Sequence, residues 1–342
     1  MSAGRRVLIT GVASYWGAEV ARRLERDPGV AYVAGIDTRP PPAGLAATEF
    51  IEADIRSAAL SRLLPTTAVD TVVHCGIVWY PEPGLPARSL HEINVVGTLQ
   101  LLAACERTET LRTVVVRGSA AIYGCEAAVP SFFTEDLARA TPLRTRFQRD
   151  ISELEEYFDN FARRHPDLTC CMLRFQPEIG AGLDSPLVRY LTLPLVPVQL
   201  GFDPRLQLLD AEDATGALVA AVANPVRGPV NVAPDGAISL SRALRLLRRP
   251  TLPLPGPAFD ALTGRLERVI GAGGLLGDGS RLLRFGRGVD NTRLKREVGY
   301  RPRRDAVAAI RALARAEDGR RIGPALHPGS IAGRLTGVGV GQ

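Results

Sequence analysis

Lysine is nearly missing from this chain: of 42 basic side chains only Lys295 is a lysine, a skew of the kind a GC-rich genome produces. Cysteine is sparse and unpatterned. The five residues Cys75, Cys105, Cys125, Cys170 and Cys171 are odd in number and form no Cys-x-x-Cys or Cys/His cluster with metal spacing, so no metal site is expected. Buried reduced thiols fit that pattern and a reducing compartment. No run approaches the roughly 18 apolar residues of a membrane span, which excludes a transmembrane reading. The N-terminus runs straight into a strand and a turn, with no separate apolar segment before a cleavage site. A signal peptide is therefore not expected, and the cytoplasm is. Gly and Pro are frequent but aperiodic, which argues against a collagen-like or low-complexity chain, and no internal repeat is visible. The formal charge of +6 comes from scattered arginines rather than a basic stripe, so nucleic acid is not an expected partner.

What is present is a long alternation of short apolar runs and helical patterns. With 342 residues, 46% of them hydrophobic, the chain can bury a large core. Val7-Leu8-Ile9, Tyr32 to Ile36, Glu49 to Ile51, Thr71-Val72-Val73, Thr113 to Val116 and Thr169 to Leu173 read as strands. Residues 17–26, about 90–105 and about 149–164 read as helices between them. Continuously apolar strands separated by helices indicate a parallel sheet covered on both faces, and right-handed crossovers make it doubly wound. The expected fold is thus α/β, a doubly wound parallel (Rossmann) sheet with a smaller C-terminal lobe on the substrate side. Residues 1–176 form the sheet domain, and the chain returns to it at about 205–234: Arg205 to Leu209 reads as a strand, Asp213 to Ala223 as a helix and Pro229 to Val232 as a further strand. Residues 177–204 and 235–325, broken by Gly and Pro, make the lobe, and the Gly-rich 326–342 reads as a mobile tail.

The candidate binding site lies at the first strand–helix junction, Thr10-Gly11-Val12-Ala13-Ser14-Tyr15-Trp16-Gly17. A phosphate needs main-chain N–H groups at a helix N-terminus and no side chain in the way. Gly11 suits the tight turn, and Gly17 suits close helix–strand packing. Ser14 stands at the middle position, where close approach to a pyrophosphate would favour glycine. Asp37, 20 positions past Gly17 at the end of the second strand, is placed to bond a ribose 2′-OH and repel a 2′-phosphate, which favours NAD over NADP. Arg39, two residues on, could reach a phosphate and works against that preference.

As an ordered set the motifs resemble the extended short-chain dehydrogenase/reductase family, of the NAD-dependent epimerase/dehydratase type. Thr10 to Gly17 resembles its TGxxGxxG turn. Asp54-Ile55 resembles the pair beside the adenine, and His74-Cys75-Gly76 the end of the fourth strand under the cofactor. Asn94-Val95-Val96-Gly97-Thr98 resembles NVxGT, and Ser119 to Gly124 resembles SAxVYG. Leu173-Arg174-Phe175, Gln207 to Asp213 and Asp290 to Pro302 resemble later landmarks, so the match spans about residues 5–305. The stretch Leu206-Gln207-Leu208-Leu209 is similar to an actinobacterial epimerase-like group.

The resemblance implies a dinucleotide held by Gly11, Ser14, Tyr15, Trp16, Gly17, Asp37, Arg39, Asp54, Ile55, Cys75, Gly76 and Asn94. It also implies a nucleotide-sugar or other small-molecule ligand and a homodimer. Ser119 matches the family's catalytic Ser/Thr. The family's Tyr-x-x-x-Lys pair does not match: Phe147 stands at the Tyr position and Ile151 at the Lys position. In the family the Tyr carries the proton in hydride transfer and the Lys lowers its pKa. A phenyl ring can do neither. Ile151 instead joins Leu154, Phe158 and Phe161 in an apolar stripe. Pro177 replaces a substrate-contacting Asn. Tyr80, Tyr123, Tyr157 and His91 are candidate substitute acids, and Arg149 a candidate charge near the ribose. The sequence thus supports a dinucleotide-binding protein without Tyr/Lys redox catalysis. The alternative is an active epimerase, dehydratase or reductase with a relocated acid/base.

Overall fold

The computed structural model describes residues 4–80, 87–127, 132–137, 142–269 and 281–322. Its centre is a seven-stranded sheet: β1 (Arg5–Thr10), β2 (Val30–Asp37), β3 (Glu49–Glu52), β4 (Thr71–His74), β5 (Thr113–Ser119), β6 (Thr169–Phe175) and β7 (Gly228–Val232). The order is β7-β6-β5-β4-β1-β2-β3, and every pair is parallel. This is the doubly wound arrangement the strand–helix alternation implied. The strand order reverses between β1 and β4, which opens a crevice above their C-terminal ends.

Every residue of β4 and β5 is buried, which explains why the sequence there is apolar without alternation. Side-chain direction still alternates. Leu8, Val72, Val114 and Val116 enter a core with α2 (Leu60–Thr66), α3 (Gly97–Glu106) and α4 (Arg146–Arg164). Val7, Ile9, Val73 and Val115 enter the core on the opposite face, with α1 (Tyr15–Leu24) and α5 (Ala211–Ala223). The stripe Ile151, Leu154, Phe158 and Phe161 is completely or almost completely buried in the first of these cores. A third core, around Leu187, Tyr190, Leu191, Leu206, Ile238, Leu244 and Ile310, lies outside both sheet faces.

The helix expected over about 90–105 is present and starts earlier: Ala87–His91 runs through one π-helical turn at Glu92–Val96 into α3, with helical backbone angles at both joins. Within that turn the Asn94 amide bonds both the N–H and the C=O of Val78. The single strand expected at Arg205 to Leu209 is two short strands in different sheets, Arg205–Leu206 against Ile238–Ser239 and Leu209–Asp210 against Glu178–Ile179. Between them Gln207 turns its side chain onto the backbone of Val289, accepting from its N–H at 2.8 Å and donating to its carbonyl at 3.2 Å. A side chain thereby does the work of a strand partner. The Gly/Pro-broken stretch assigned to the lobe holds, among its described residues, the helices Leu240–Leu246 and Gly256–Val269 with the strand Thr251–Leu254 between them. Gly256-Pro257 begins a helix instead of interrupting one, because proline at the first turn forfeits no hydrogen bond. The expected tail at 326–342 lies outside the described residues. Among the described residues no helix is long and apolar enough to cross a membrane.

Candidate functional site

A cleft of about 1010 Å³ lies over the C-terminal ends of β1, β2, β4 and β5, at the topological switch point. Its walls come from the turn after β1, the end of β2, the loop after β4, Arg117 of β5 and the segment at Leu183–Arg189. Gly11, Ser14, Tyr15, Trp16, Asp37, Arg39, Asp54, Ile55, Cys75 and Gly76 all line it.

The turn after β1 is shaped by close backbone contact. Gly11 has φ +72°, and a Cβ there would come within 2.6 Å of the Gly76 Cα. A Cβ on Gly17 would collide with the Gly11 carbonyl. Ser14 has φ −74° and needs no glycine: it is the N-cap of α1. Its hydroxyl donates to the Gly11 carbonyl at 2.6 Å and accepts from the Gly17 N–H at 3.1 Å. The Ser14 side chain is thus folded back onto the turn. Asp37 accepts from the Ala13 N–H at 3.0 Å and the Thr38 N–H at 2.8 Å, which ties the turn to the end of β2. A carboxylate offers about four lone-pair sites, so acceptor capacity remains. Among the described residues the N–H groups of Tyr15 and Trp16, at the positive end of α1, have no acceptor. Burial, with Glu19 nearby, pushes the Tyr15 phenol up to about 12, so it stays neutral.

Asp54 is paired with Arg56, which holds its carboxyl below the usual range. Burial pushes the Cys75 thiol up to about 12, which makes it unreactive. Below the cleft floor runs a buried chain of bonds. Thr98 donates to the Asn94 carbonyl, so its oxygen must accept from His74 Nε2 at 3.0 Å. His74 is then protonated at Nε2 only, and its Nδ1 accepts from the Thr10 hydroxyl at 2.6 Å. Burial pulls the His74 pKa down to about 4. Through Asn94 and Val78 this chain joins the base of the turn to the loop after β4.

The β5 side of the cleft is built differently. Arg117 lies with its guanidinium carbon 4.3 Å from the Trp16 ring centre and 4.1 Å from that of Trp79. It donates to the Glu178 carboxylate at 2.6 Å, and both side chains are at least 95% buried. Burial raises the Glu178 pKa, and Arg117 offsets that in part. Neither residue was picked out from the sequence. The available signal was an arginine directly after the apolar run Val114 to Val116, and a glutamate directly after Pro177.

The remaining predicted site residues do not line the cleft. Asn94 is buried, with its amide committed to Val78. Gly17 is packed behind the turn. Ser119 is buried and caps the short helical turn Ala120–Tyr123 by accepting from the Ala121 N–H. Phe147 is half-buried against Trp79, with ring centres 6.1 Å apart, and Ile151 has no exposed surface. Of the candidate substitute acids only Tyr80 lines the cleft. Tyr123 is buried between Asn231 and Arg174, Tyr157 bonds Glu153, and His91 bonds Asp150. Among the described residues no group of three or more His, Cys, Asp or Glu side chains could hold a metal ion.

A family model for the NAD dependent epimerase/dehydratase family matches residues 7–233. An uncharacterized protein of Mycobacterium tuberculosis is 34% identical over 339 residues, covering 97% of this chain and 89% of its own. Among solved structures, MoeE5 in complex with UDP-glucuronic acid and NAD has a TM-score of 0.70 at 20% identity, covering 92% of this chain and 99% of that one. UDP-glucose 4-epimerase of Thermotoga maritima with UDP-glucose gives 0.70 at 16%, covering 92% and 99%. dTDP-glucose 4,6-dehydratase of Bacillus anthracis in complex with NAD gives 0.70 at 11%, covering 93% and 98%. At these identities the likeness is one of fold.

Proposed function

The chain belongs to the NAD dependent epimerase/dehydratase family, and on that premise we propose that its cleft binds NAD without performing hydride chemistry through a Tyr/Lys pair. The residues present fit the cofactor. The turn after β1 offers the N–H groups of Tyr15 and Trp16 to a pyrophosphate. Asp37, anchored by Ala13, has an acceptor left for a ribose 2′-OH and a charge that repels a 2′-phosphate. Bound NAD would supply a hydride acceptor. What α4 lacks is the Tyr/Lys pair that moves the accompanying proton in the family.

The observation that carries this reading is Ile151. At the position of the family's lysine it is wholly buried in the apolar stripe of α4, and no residue of α4 lines the cleft. Phe147, beside it, has no proton to give. The solved neighbours bind NAD and nucleotide sugars, which supports a dinucleotide here and leaves a nucleotide-sugar as the second ligand to test. Five free buried cysteines support a reducing, cytoplasmic setting. A homodimer is the remaining expectation, which light scattering on the purified chain would decide.

One observation favours the alternative, an active enzyme with a relocated acid/base: Glu178 is a buried carboxyl on the cleft wall, with its hold on a proton strengthened by burial. Its bond to Arg117 opposes that role. One experiment separates the readings. The purified protein is loaded with NAD and mixed with a panel of nucleotide sugars in single turnover. Unchanged nicotinamide absorbance is expected, and any sugar-dependent change would overturn the non-catalytic reading.

A further inference from the structure

We infer that Arg117 and Trp79 form a second polar subsite of the cleft, which takes the uncharged carboxamide of bound NAD through the Arg117 Nε–H and the Trp79 indole N–H. The inference deepens the dinucleotide reading above and rests on it. It names the side chains that hold the half of the ligand on the far side of the pyrophosphate from Asp37.

Both donors are buried and have no acceptor among the described residues. Both side chains line the same cleft as Gly11 and Asp37, and Arg117 is only 2% exposed. They are stacked neighbours, with the guanidinium carbon 4.1 Å from the Trp79 ring centre. Buried N–H groups are nearly always bonded, so two left over side by side on a cleft wall mark where an acceptor belongs. The way Arg117 holds its carboxylate accounts for its share. Arg56, Arg174 and Arg189 each grip a carboxylate with two legs, one from Nε and one from Nη2. Among the described residues Arg117 is bonded to Glu178 through Nη2 alone. Its Nε–H is the unused leg.

The place of these donors in the crevice points to the ligand group. A pyrophosphate on the Tyr15 and Trp16 N–H groups sends its adenosine toward Asp37 and the end of β2. The other half then runs the opposite way, toward the ends of β4 and β5, where Trp79 and Arg117 stand. Charge decides which acceptor fits there. Arg117 is already neutralised by Glu178, and both are at least 95% buried. A carboxylate entering this place would be a second buried anion on one guanidinium. A carboxamide brings the same oxygen without the charge, and adds an N–H for which the Glu178 carboxylate has acceptor capacity. Since solvent reaches neither donor, the ring of Trp79, half-buried on the loop after β4, has to turn for the acceptor to enter. Trp16 and Trp79 are the only tryptophans of the chain, so its emission reports that turn.

The test is titration of the full-length chain with NAD, nicotinic acid adenine dinucleotide and ADP-ribose, read by calorimetry and by tryptophan emission. NAD is expected to bind at least about fivefold tighter than either of the others, and to change the emission more than ADP-ribose does. A smaller preference over nicotinic acid adenine dinucleotide would overturn the choice of an uncharged group. A smaller preference over ADP-ribose, or equal emission changes, would overturn the subsite and leave the NAD reading standing. Failure of both NAD and ADP-ribose to bind would instead overturn the NAD reading, and this inference with it. Trp79→Phe keeps a ring on Arg117 and removes one donor. Arg117→Lys keeps a charge for Glu178 and removes the other. Each is expected to lower the ratio of NAD to ADP-ribose affinity by about threefold or more. A wild-type ratio in both variants counts against the donor pair. Should Arg117→Lys fail to fold, Trp79→Phe decides alone.

Discussion

The two sides of the cleft are built from different parts of the chain. Around β1 and β2 the wall is mostly main chain, bent by Gly11 and packed by Gly17, and among the described residues the Tyr15 and Trp16 N–H groups have no acceptor. Around β5 the wall is side chain: Arg117 donates to Glu178 and stacks on two indoles, while its Nε and the Trp79 Nε1 are buried without an acceptor among the described residues. The difference teaches that binding and proton transfer make different demands on one fold. Binding needs main-chain groups at a helix end, which the turn supplies whatever its side chains are. Proton transfer needs a particular ionisable side chain at a particular helix position.

The contrast can be broken most severely at the ion pair. Arg117→Ala leaves Glu178 buried without a partner, and a stability loss of about 3–5 kcal/mol is expected in urea denaturation. Replacing both residues by apolar ones of similar size should cost less than either single change. A loss within experimental error for Arg117→Ala would mean that the pair does not hold the β5 wall.

The next effect is on pH dependence. The His74 pKa lies near 4 in the folded chain against an ordinary 6.5, so the unfolded chain takes up a proton first as pH falls. The stability His74 contributes is complete above about pH 6.5, declines as pH drops toward about 4, and levels off below, for about 3 kcal/mol in all. In His74→Gln this component of the slope should vanish, and parallel wild-type and variant curves between those limits would contradict the assignment.

On the binding side, Gly17→Ala drives a methyl group into the Gly11 carbonyl. A stability loss of about 1–3 kcal/mol is expected, with loss of NAD binding in calorimetry. The smallest effect is electrostatic. Asp37→Asn keeps an oxygen for the Ala13 N–H but removes the charge. The ratio of NAD to NADP affinity should fall by about tenfold, or about 1.4 kcal/mol. An unchanged ratio would show that Asp37 does not face the ribose.

The sheet was legible because parallel strands buried on both faces must be apolar throughout. The runs at Val7, Thr71 and Thr113 therefore announce themselves. The turn was legible because Gly11, Gly17 and Asp37 have fixed spacings set by strand and helix lengths. The outer lobe was harder. Gly256-Pro257 looks like a break until the helix it starts is visible, and Gln207 looks like a strand residue although its side chain replaces a strand. Asn94 fits a site motif, yet its amide secures the loop carrying Trp79. Whether a polar side chain is spent or free depends on partners 16 to 64 residues away, as Asn94–Val78 and Thr10–His74 show.

The sequence by itself determined the family, the parallel sheet, the position of the Gly-rich turn and the absence of a Tyr-x-x-x-Lys pair from α4. Each of these follows from local spacing or from which residues are present. Only the tertiary structure decided which side chains meet on the β5 wall of the cleft. Arg117 and Glu178 are 61 residues apart in the chain. Trp16 reaches Arg117 from the first turn of α1 and Trp79 from the loop after β4, and no periodicity links any of them. Their meeting is set by the sheet order, which brings β1, β4 and β5 side by side.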